Sequence, residues 1–429
     1  MPEAGAPRPD AEPAIHTLPN GVRCIAIALP QLRTASVGVF VRAGSAHEPR
    51  ALNAVSHFVE HMVFKGTAGR DVHRINLDAE RLGAEVNAHT DKDHTAYYMR
   101  GRGEHAASFV RMLADIVQHA TFPEAEIGRE REVLLQEAIE VADDPVDAAY
   151  ELFDHACWGL HPAAQPVIGS RRNIERLRRD DLVQWTARHY SGSNVVVAAA
   201  GPIDPDAIVR EVEAAFGGLA RGQASRIEPP VYAGGIRTRR LEGSSQLHLV
   251  LGFPLPARSD DPAADVAAAV FGDGMSSPLL SELRERRGLA YHAACGADRY
   301  DAFGQFAVEA SIAPDKQGEV LRGLMRLLAQ QAAATAAVDL ERARNQLAVR
   351  LLHDLDRPSR RMEQAALDLF ALDRVRPAAE QLARIDAVSA AAVSEVFARM
   401  LGAGVALALT GRVGRAASER ARESLTLAA

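Results

Sequence analysis

The chain is poor in cysteine, with only Cys24, Cys157 and Cys295 among 429 residues. They are odd in number, far apart and without Cys-x-x-Cys spacing, which argues against a disulfide framework or a cysteine metal cluster. Free thiols fit a reducing compartment. Long apolar runs are missing too: Ala-rich stretches such as Val195–Ala200 fall far short of the roughly 20 residues a membrane-spanning helix needs. The N-terminal residues have no basic start followed by an apolar run, so no secretory signal is read there, and Glu3, Asp10 and Glu12 argue against a transit peptide. Residues 1–16, rich in Pro, Ala and acidic side chains, are expected to form a disordered lead-in, and the expected location is cytoplasmic. No basic stripe interleaves with aromatics, so neither a nucleic-acid nor a membrane partner is expected. Net charge is −7 and the isoelectric point is near 6.1, a mild acidity compatible with basic peptides.

What is present is an ordinary globular composition, 47% hydrophobic and 24% charged, in a chain too long for one core. A faint duplication organises it. The strand-like run Ser36–Gly44 has a counterpart at Gln246–Pro254, a shift of 246 − 36 = 210. The same shift of 210 takes Val195–Gly201 to Val405–Gly411. A hairpin from Ala84 to Arg100, turning at Asp91–Asp93, is matched by one near Ala294–Ala310, turning near Asp301. Three matches at one offset predict two tandem, homologous α+β domains, each a mainly antiparallel sheet with helices packed on it. They are expected over 17–216 and 237–429, joined by the Gly- and Pro-rich linker 217–236.

The run Asn53–Phe64 has helical periodicity. Val55, Phe58, Val59 and Met62 form an apolar face, while His57, Glu60, His61 and Phe64 share the other. Two imidazoles one turn apart can reach one metal ion, and Glu60 sits beside them without needing to be a ligand. This is the His-x-x-Glu-His order of inverted zinc peptidases. A helix near residues 123–141 carries Glu130 and Glu137, seven apart and so on one face, as sources of a third ligand. A His, His, Glu set leaves a fourth position open, a catalytic pattern and not a closed structural one. At the 210 shift, His57, Glu60, His61 and Glu137 become Ala267, Val270, Phe271 and Leu347, so the second half carries no trace of the site. His73, His89, His94, His155 and His161 lack helical pairing with an acidic partner, and a surface or structural role is expected for them.

These residues resemble the pitrilysin-like metallopeptidases, in particular the mitochondrial processing peptidase branch and its short bacterial relatives, over about Leu18 to Gly411. His57-Phe-Val-Glu-His61 with Phe64-Lys-Gly-Thr67 is similar to the catalytic helix and its exit. Gly83–Thr90 with Thr95–Tyr98 is similar to the substrate-edge hairpin, and Glu130–Glu137 to the helix giving the third ligand. In the second half Gly272–Ser277 resembles the family's Gly-rich loop, departing from it at Asp273, and Leu283–Tyr291 resembles the Arg and Tyr substrate motif. The resemblance implies an endopeptidase with one zinc per chain held by His57, His61 and Glu137. Glu60 would be the general base for a zinc-bound water, and Glu130 a carboxylate orienting a ligand. It further implies that Arg284 and Tyr291 bind substrate, and that a peptide or unfolded segment adds as a strand along Ala84–Thr90, contacting Asn87 and Ala88. Two copies would form a homodimer, each zinc site completed by Arg284 and Tyr291 of the other copy. A non-catalytic scaffold subunit of a processing-peptidase-like complex is the alternative. A maturation factor for one peptide would share the chemistry and differ in substrate.

Overall fold

The computed structural model describes residues 12–426. Its strands are β1 (Ala14–Thr17), β2 (Arg23–Ala28), β3 (Thr34–Val41), β4 (Glu85–Thr90), β5 (Thr95–Arg102) and β6 (Val195–Gly201), then β7 (Gly235–Arg240), β8 (Leu247–Leu255), β9 (Ala290–Arg299), β10 (Gly304–Ile312) and β11 (Ala406–Gly411). They make two sheets of one topology, β1-β2-β6-β3-β5-β4 and β7-β11-β8-β10-β9, mostly antiparallel with a parallel β2–β6 or β7–β11 pair. The expected two-domain α+β architecture is therefore the observed one. The lead-in differs at its end: Ala14–Thr17 pairs with Arg23–Ala26 as β1, and residues 1–11 lie outside the described part. No helix or strand occurs between 217 and 234.

The duplication is not gap-free. Val37 faces Ala199 across β3–β6, whereas Leu247, 210 residues on, faces Gly411 and not Leu409. The β8–β11 pairing has slipped by two residues. Two is the period of a strand, so the side chains of this pair keep their faces.

Each sheet buries both faces. On one face of the first sheet, Val37, Val39 and Val41 pack on Val55, Phe58, Val59 and Met62. The equivalent face of the second packs Leu249, Leu251 and Phe253 on Ala267, Val270 and Phe271. The opposite faces are covered by exchange. The helix Pro358–Leu372 of the second half lays Met362, Ala365, Ala366, Leu369 and Phe370 on Ile25, Ile27, Phe40, Val196 and Ala198 of the first sheet. Reciprocally, Pro145–Trp158 lays Ala149, Phe153 and Ala156 on Val250, Ala307, Ala406 and Ala408 of the second. Two glycines make room: a Cβ on Gly38 would stand 2.9 Å from the Met362 methyl, and one on Gly252 would stand 2.7 Å from the Phe153 ring. Nothing along the chain marks this exchange, because an apolar helix face does not say which sheet it covers.

Candidate metal centre

The motif helix spans Val55–Met62, with Val55, Phe58, Val59 and Met62 buried as the periodicity predicts. Its start is strained: Ala54 adopts φ 102°, a left-handed conformation unfavourable for a residue with a Cβ. The strain is held by Glu48, fully buried, whose carboxylate accepts from the Ala54 N–H (3.0 Å), the Ser56 N–H (2.7 Å) and the Asn53 amide (2.8 Å). Those donors and the positive helix end stabilise the anion. Burial nevertheless pushes the Glu48 carboxyl up to about 6, against the same hydrogen bonds.

The helix carries His57, Glu60 and His61 on its half-exposed face. The two imidazole rings stand 4.7 Å apart, nearly perpendicular. The helix Glu124–Asp143 crosses this face, and its buried Ile127, Glu130 and Leu134 set the orientation that brings Glu137 inward. Both His57 Nε2 and His61 Nε2 lie 3.8 Å from Glu137 Oε2. A tetrahedral zinc with bonds of about 2.0–2.1 Å holds its donors about 3.4 Å apart, so a contraction of a few tenths of an ångström would close the set. Glu130 belongs to the surroundings: its Oε2 accepts from His61 Nδ1 at 3.1 Å, and its Oε1 pairs with Lys65 at 2.7 Å. That bond places the proton on Nδ1 and leaves the His61 Nε2 lone pair facing Glu137. Burial, with the neighbouring His61, pushes His57 down to about 3, so its imidazole is neutral and free to ligate. The residues present fit a zinc ion.

Glu60 stands apart from the three donor groups. Its Oε2 accepts from the Thr90 hydroxyl at 2.6 Å, tying the helix to the end of β4. Burial raises its carboxyl above the ordinary range, opposed by Thr90 and His61 and reinforced by Glu137. β4 ends the sheet, so its outer edge has no strand beside it. Asn87 is exposed there, Ala88 half-buried.

Arg284 and Tyr291 are brought together, the guanidinium 5.9 Å from the ring centre, and Tyr291 is 85% exposed. The contacts of Arg284 are Met275, Glu285 and Tyr291, all in its own half and none at the His57 cluster. Asp273, the departure in the Gly-rich loop, has φ −79°, ψ 127°, a backbone any residue adopts. Its carboxylate accepts from Arg350 at 2.6 Å and its carbonyl from Arg342. Aspartate there pins the loop to the helix Ala337–Leu355 without strain.

Sequence reasoning missed Thr90 as partner of Glu60, Lys65 as partner of Glu130, and Glu48. It also missed a second convergence: His89 and His94 meet Glu363 on the far side of the first sheet. The first two lie inside the quoted motifs; Glu48 and Glu363 carry no local signal.

A two-domain α+β chain with an inverted His-x-x-Glu-His helix, a glutamate from a crossing helix and an unpaired strand edge beside them defines a class: the inverted-motif metallopeptidase fold. Comparison agrees. Residues 23–171 match the model described as Insulinase (Peptidase family M16), and residues 176–347 the one described as Peptidase M16 inactive domain. The chain belongs to the pitrilysin-like peptidase family M16, in its short bacterial form. It is 30% identical over 403 residues to the uncharacterized zinc protease YmxG of Bacillus subtilis, covering 93% of this chain and 98% of that one. An uncharacterized zinc protease of Mycobacterium tuberculosis is 32% identical over 413 residues, 94% of each chain. In fold, a protease from Helicobacter pylori superimposes with a TM-score of 0.85 at 19% identity, over 94% of this chain and 99% of that one. A chain of complex III2 from Candida albicans gives 0.84 at 19% identity, over 96% and 99%.

Proposed function

We propose that the protein is a zinc-dependent endopeptidase of peptides or unfolded segments. The observation that carries this is the convergence of two histidines on Glu137, with Glu60 held apart from them by Thr90. Zinc, when bound, supplies a Lewis acid that polarises a peptide carbonyl and acidifies water. The ligating residues would be His57, His61 and Glu137. Glu130 fixes the His61 tautomer and ring. Glu60 takes the proton from the attacking water and delivers it to the leaving amine; its raised pKa suits a group that must both accept and donate. Substrate pairs with the free edge of β4 through main-chain hydrogen bonds, so affinity asks little of its sequence and folded proteins are excluded. Three unpaired cysteines, two of them buried, fit a cytoplasmic setting.

A homodimer completes the site in this reading. An exposed tyrosine stacked beside an arginine is the kind of pair that anchors binding surfaces, and in one chain it touches nothing at the metal cluster. Arg284 and Tyr291 of one copy would then hold substrate over the zinc of the other, under two-fold symmetry. The alternative, a non-catalytic scaffold subunit, leaves the whole donor set and Glu60 without a task.

Two experiments test the reading. Zinc-loaded protein is incubated with a diverse peptide mixture and cuts are mapped by mass spectrometry; no cut from the loaded protein would sink the peptidase. For the shared site, Glu60→Gln is mixed with Arg284→Ala/Tyr291→Phe. Random exchange gives about half mixed dimers with one intact site each, restoring about a quarter of wild-type activity. No recovery despite proven subunit exchange would reject the composite site.

A further inference from the structure

On the face of the first sheet turned away from the motif helix, three side chains from three segments meet. His89 comes from β4, His94 from the turn before β5, and Glu363 from the exchanged helix Pro358–Leu372. His89 Nε2 lies 3.4 Å from His94 Nε2 and 3.4 Å from Glu363 Oε1. The two rings stand 5.4 Å apart at 88°. Donors held by a tetrahedral metal of zinc size sit about 3.4 Å apart, so both separations need no contraction.

The surroundings are built to orient these donors. His94 is 3% exposed, and its Nδ1 bonds to Asp93 Oδ1 at 2.7 Å. Asp93 is itself fixed, accepting from the Asp301 N–H at 3.0 Å with Arg258 at 3.8 Å. This carboxylate–histidine pair places the proton on Nδ1 and turns the Nε2 lone pair toward His89, the arrangement that typically backs a metal-ligating imidazole. Arg360 holds Glu363 Oε2 at 3.0 Å and so presents Oε1 to His89. A cavity of about 530 Å³ lined by His89, Asp91, Tyr98, Arg360 and Glu363 opens beside the cluster, giving an ion a path in and room for water as a fourth ligand.

We infer that His89, His94 and Glu363 form a second metal site, for a divalent transition ion of the zinc class, which accepts imidazole and carboxylate together. It is independent of the His57 cluster and of the peptidase reading. Its ligands span the two halves, so the ion would clamp the exchanged helix of the second half to the β4–β5 hairpin of the first. The hairpin is also the element whose free edge lies beside Glu60, and the clamp would stiffen it from behind.

The test uses the full chain with the first cluster removed by His57→Ala, His61→Ala and Glu137→Gln. Dialysed at pH 8 against about 1 µM free zinc, this variant is expected to retain about one ion per chain, and cobalt(II) in its place to show tetrahedral d–d absorption. Adding His89→Gln with Glu363→Gln, both on partly exposed groups, should weaken retention roughly tenfold or more and abolish the rise in Tm that zinc produces. Circular dichroism of the metal-free proteins verifies that both variants fold. A folded first variant that holds no zinc overturns the site. So does zinc retention left unchanged by His89→Gln with Glu363→Gln, which would mean the ion is bound elsewhere.

Discussion

The helices Val55–Met62 and Ala263–Gly272 hold equivalent places in the two halves and present opposite outer faces. In the first, His57, Glu60 and His61 are half-exposed around Glu137. In the second, the helix is buried on both faces, Ala264 and Ala268 as well as the sheet-facing Ala267, Val270 and Phe271, and Leu347 packs against the same core. The inner faces are alike: apolar side chains on an antiparallel sheet. A helix of this fold therefore needs only its inner face for stability, and its outer face is free either to make chemistry or to close a core. The fold does not require the metal cluster, which is why the cluster reads as function.

The sharpest way to break that contrast is Glu60→Gln. It removes one proton acceptor from the polar face and leaves the inner face untouched. Turnover should fall about 10²–10⁴-fold while zinc content is unchanged; zinc loss on metal analysis would make Glu60 a ligand.

The converse substitution, Phe271→His, puts a histidine into the buried helix of the closed half. It should gain no zinc and should destabilise by about 3–5 kcal/mol, the cost of removing a buried phenyl, with an unpaired imidazole added. Denaturant unfolding that showed no loss would mean this helix is not packed into the second core.

Glu130→Gln probes the polar face one step out. It keeps the shape but removes the charge that orients His61 and pairs with Lys65. Zinc affinity should fall about 10–100-fold, measured by competition with a chelator.

Smallest per pH unit is the acid sensitivity of the first half. Burial holds His47 near about 3 and His189 near about 4, and positions 210 further on are Ala257 and Arg399. Their folded pKa values lie below the ordinary 6.5, so the unfolded chain binds protons that the native one refuses. Stability is full above pH 6.5 and falls as pH drops toward 4, by at most about 1.4 kcal/mol per unit for each histidine. Replacing His47 by Gln should flatten that fall; an unchanged slope in unfolding at pH 7, 6 and 5 would refute it.

Much of this was legible along the chain. Helical periodicity separates Phe58 and Met62 from His57 and His61 without any tertiary information, because a 3.6-residue repeat sorts faces by itself. The seven-residue spacing of Glu130 and Glu137 puts both on one face in the same way, and Leu134 between them confirms which face is buried. A common offset between the halves was also readable, since strand patterns repeat in order. The two-residue slip of β8 was not, because pairing register is a relation between strands.

The sequence by itself thus determined the His-x-x-Glu-His helix, the duplicated α+β scaffold and the family. Only the tertiary structure decided that Pro145–Trp158 and Pro358–Leu372 trade sheets, that Glu48 holds Ala54 in a left-handed turn, and that Glu363 meets His89. The reason is physical. Local periodicity says that a face is apolar or a side chain is polar, but the identity of its partner depends on which distant surface has the matching shape: Gly38 under Met362, Gly252 under Phe153. Such complementarity exists only between segments far apart in the chain, after it has closed.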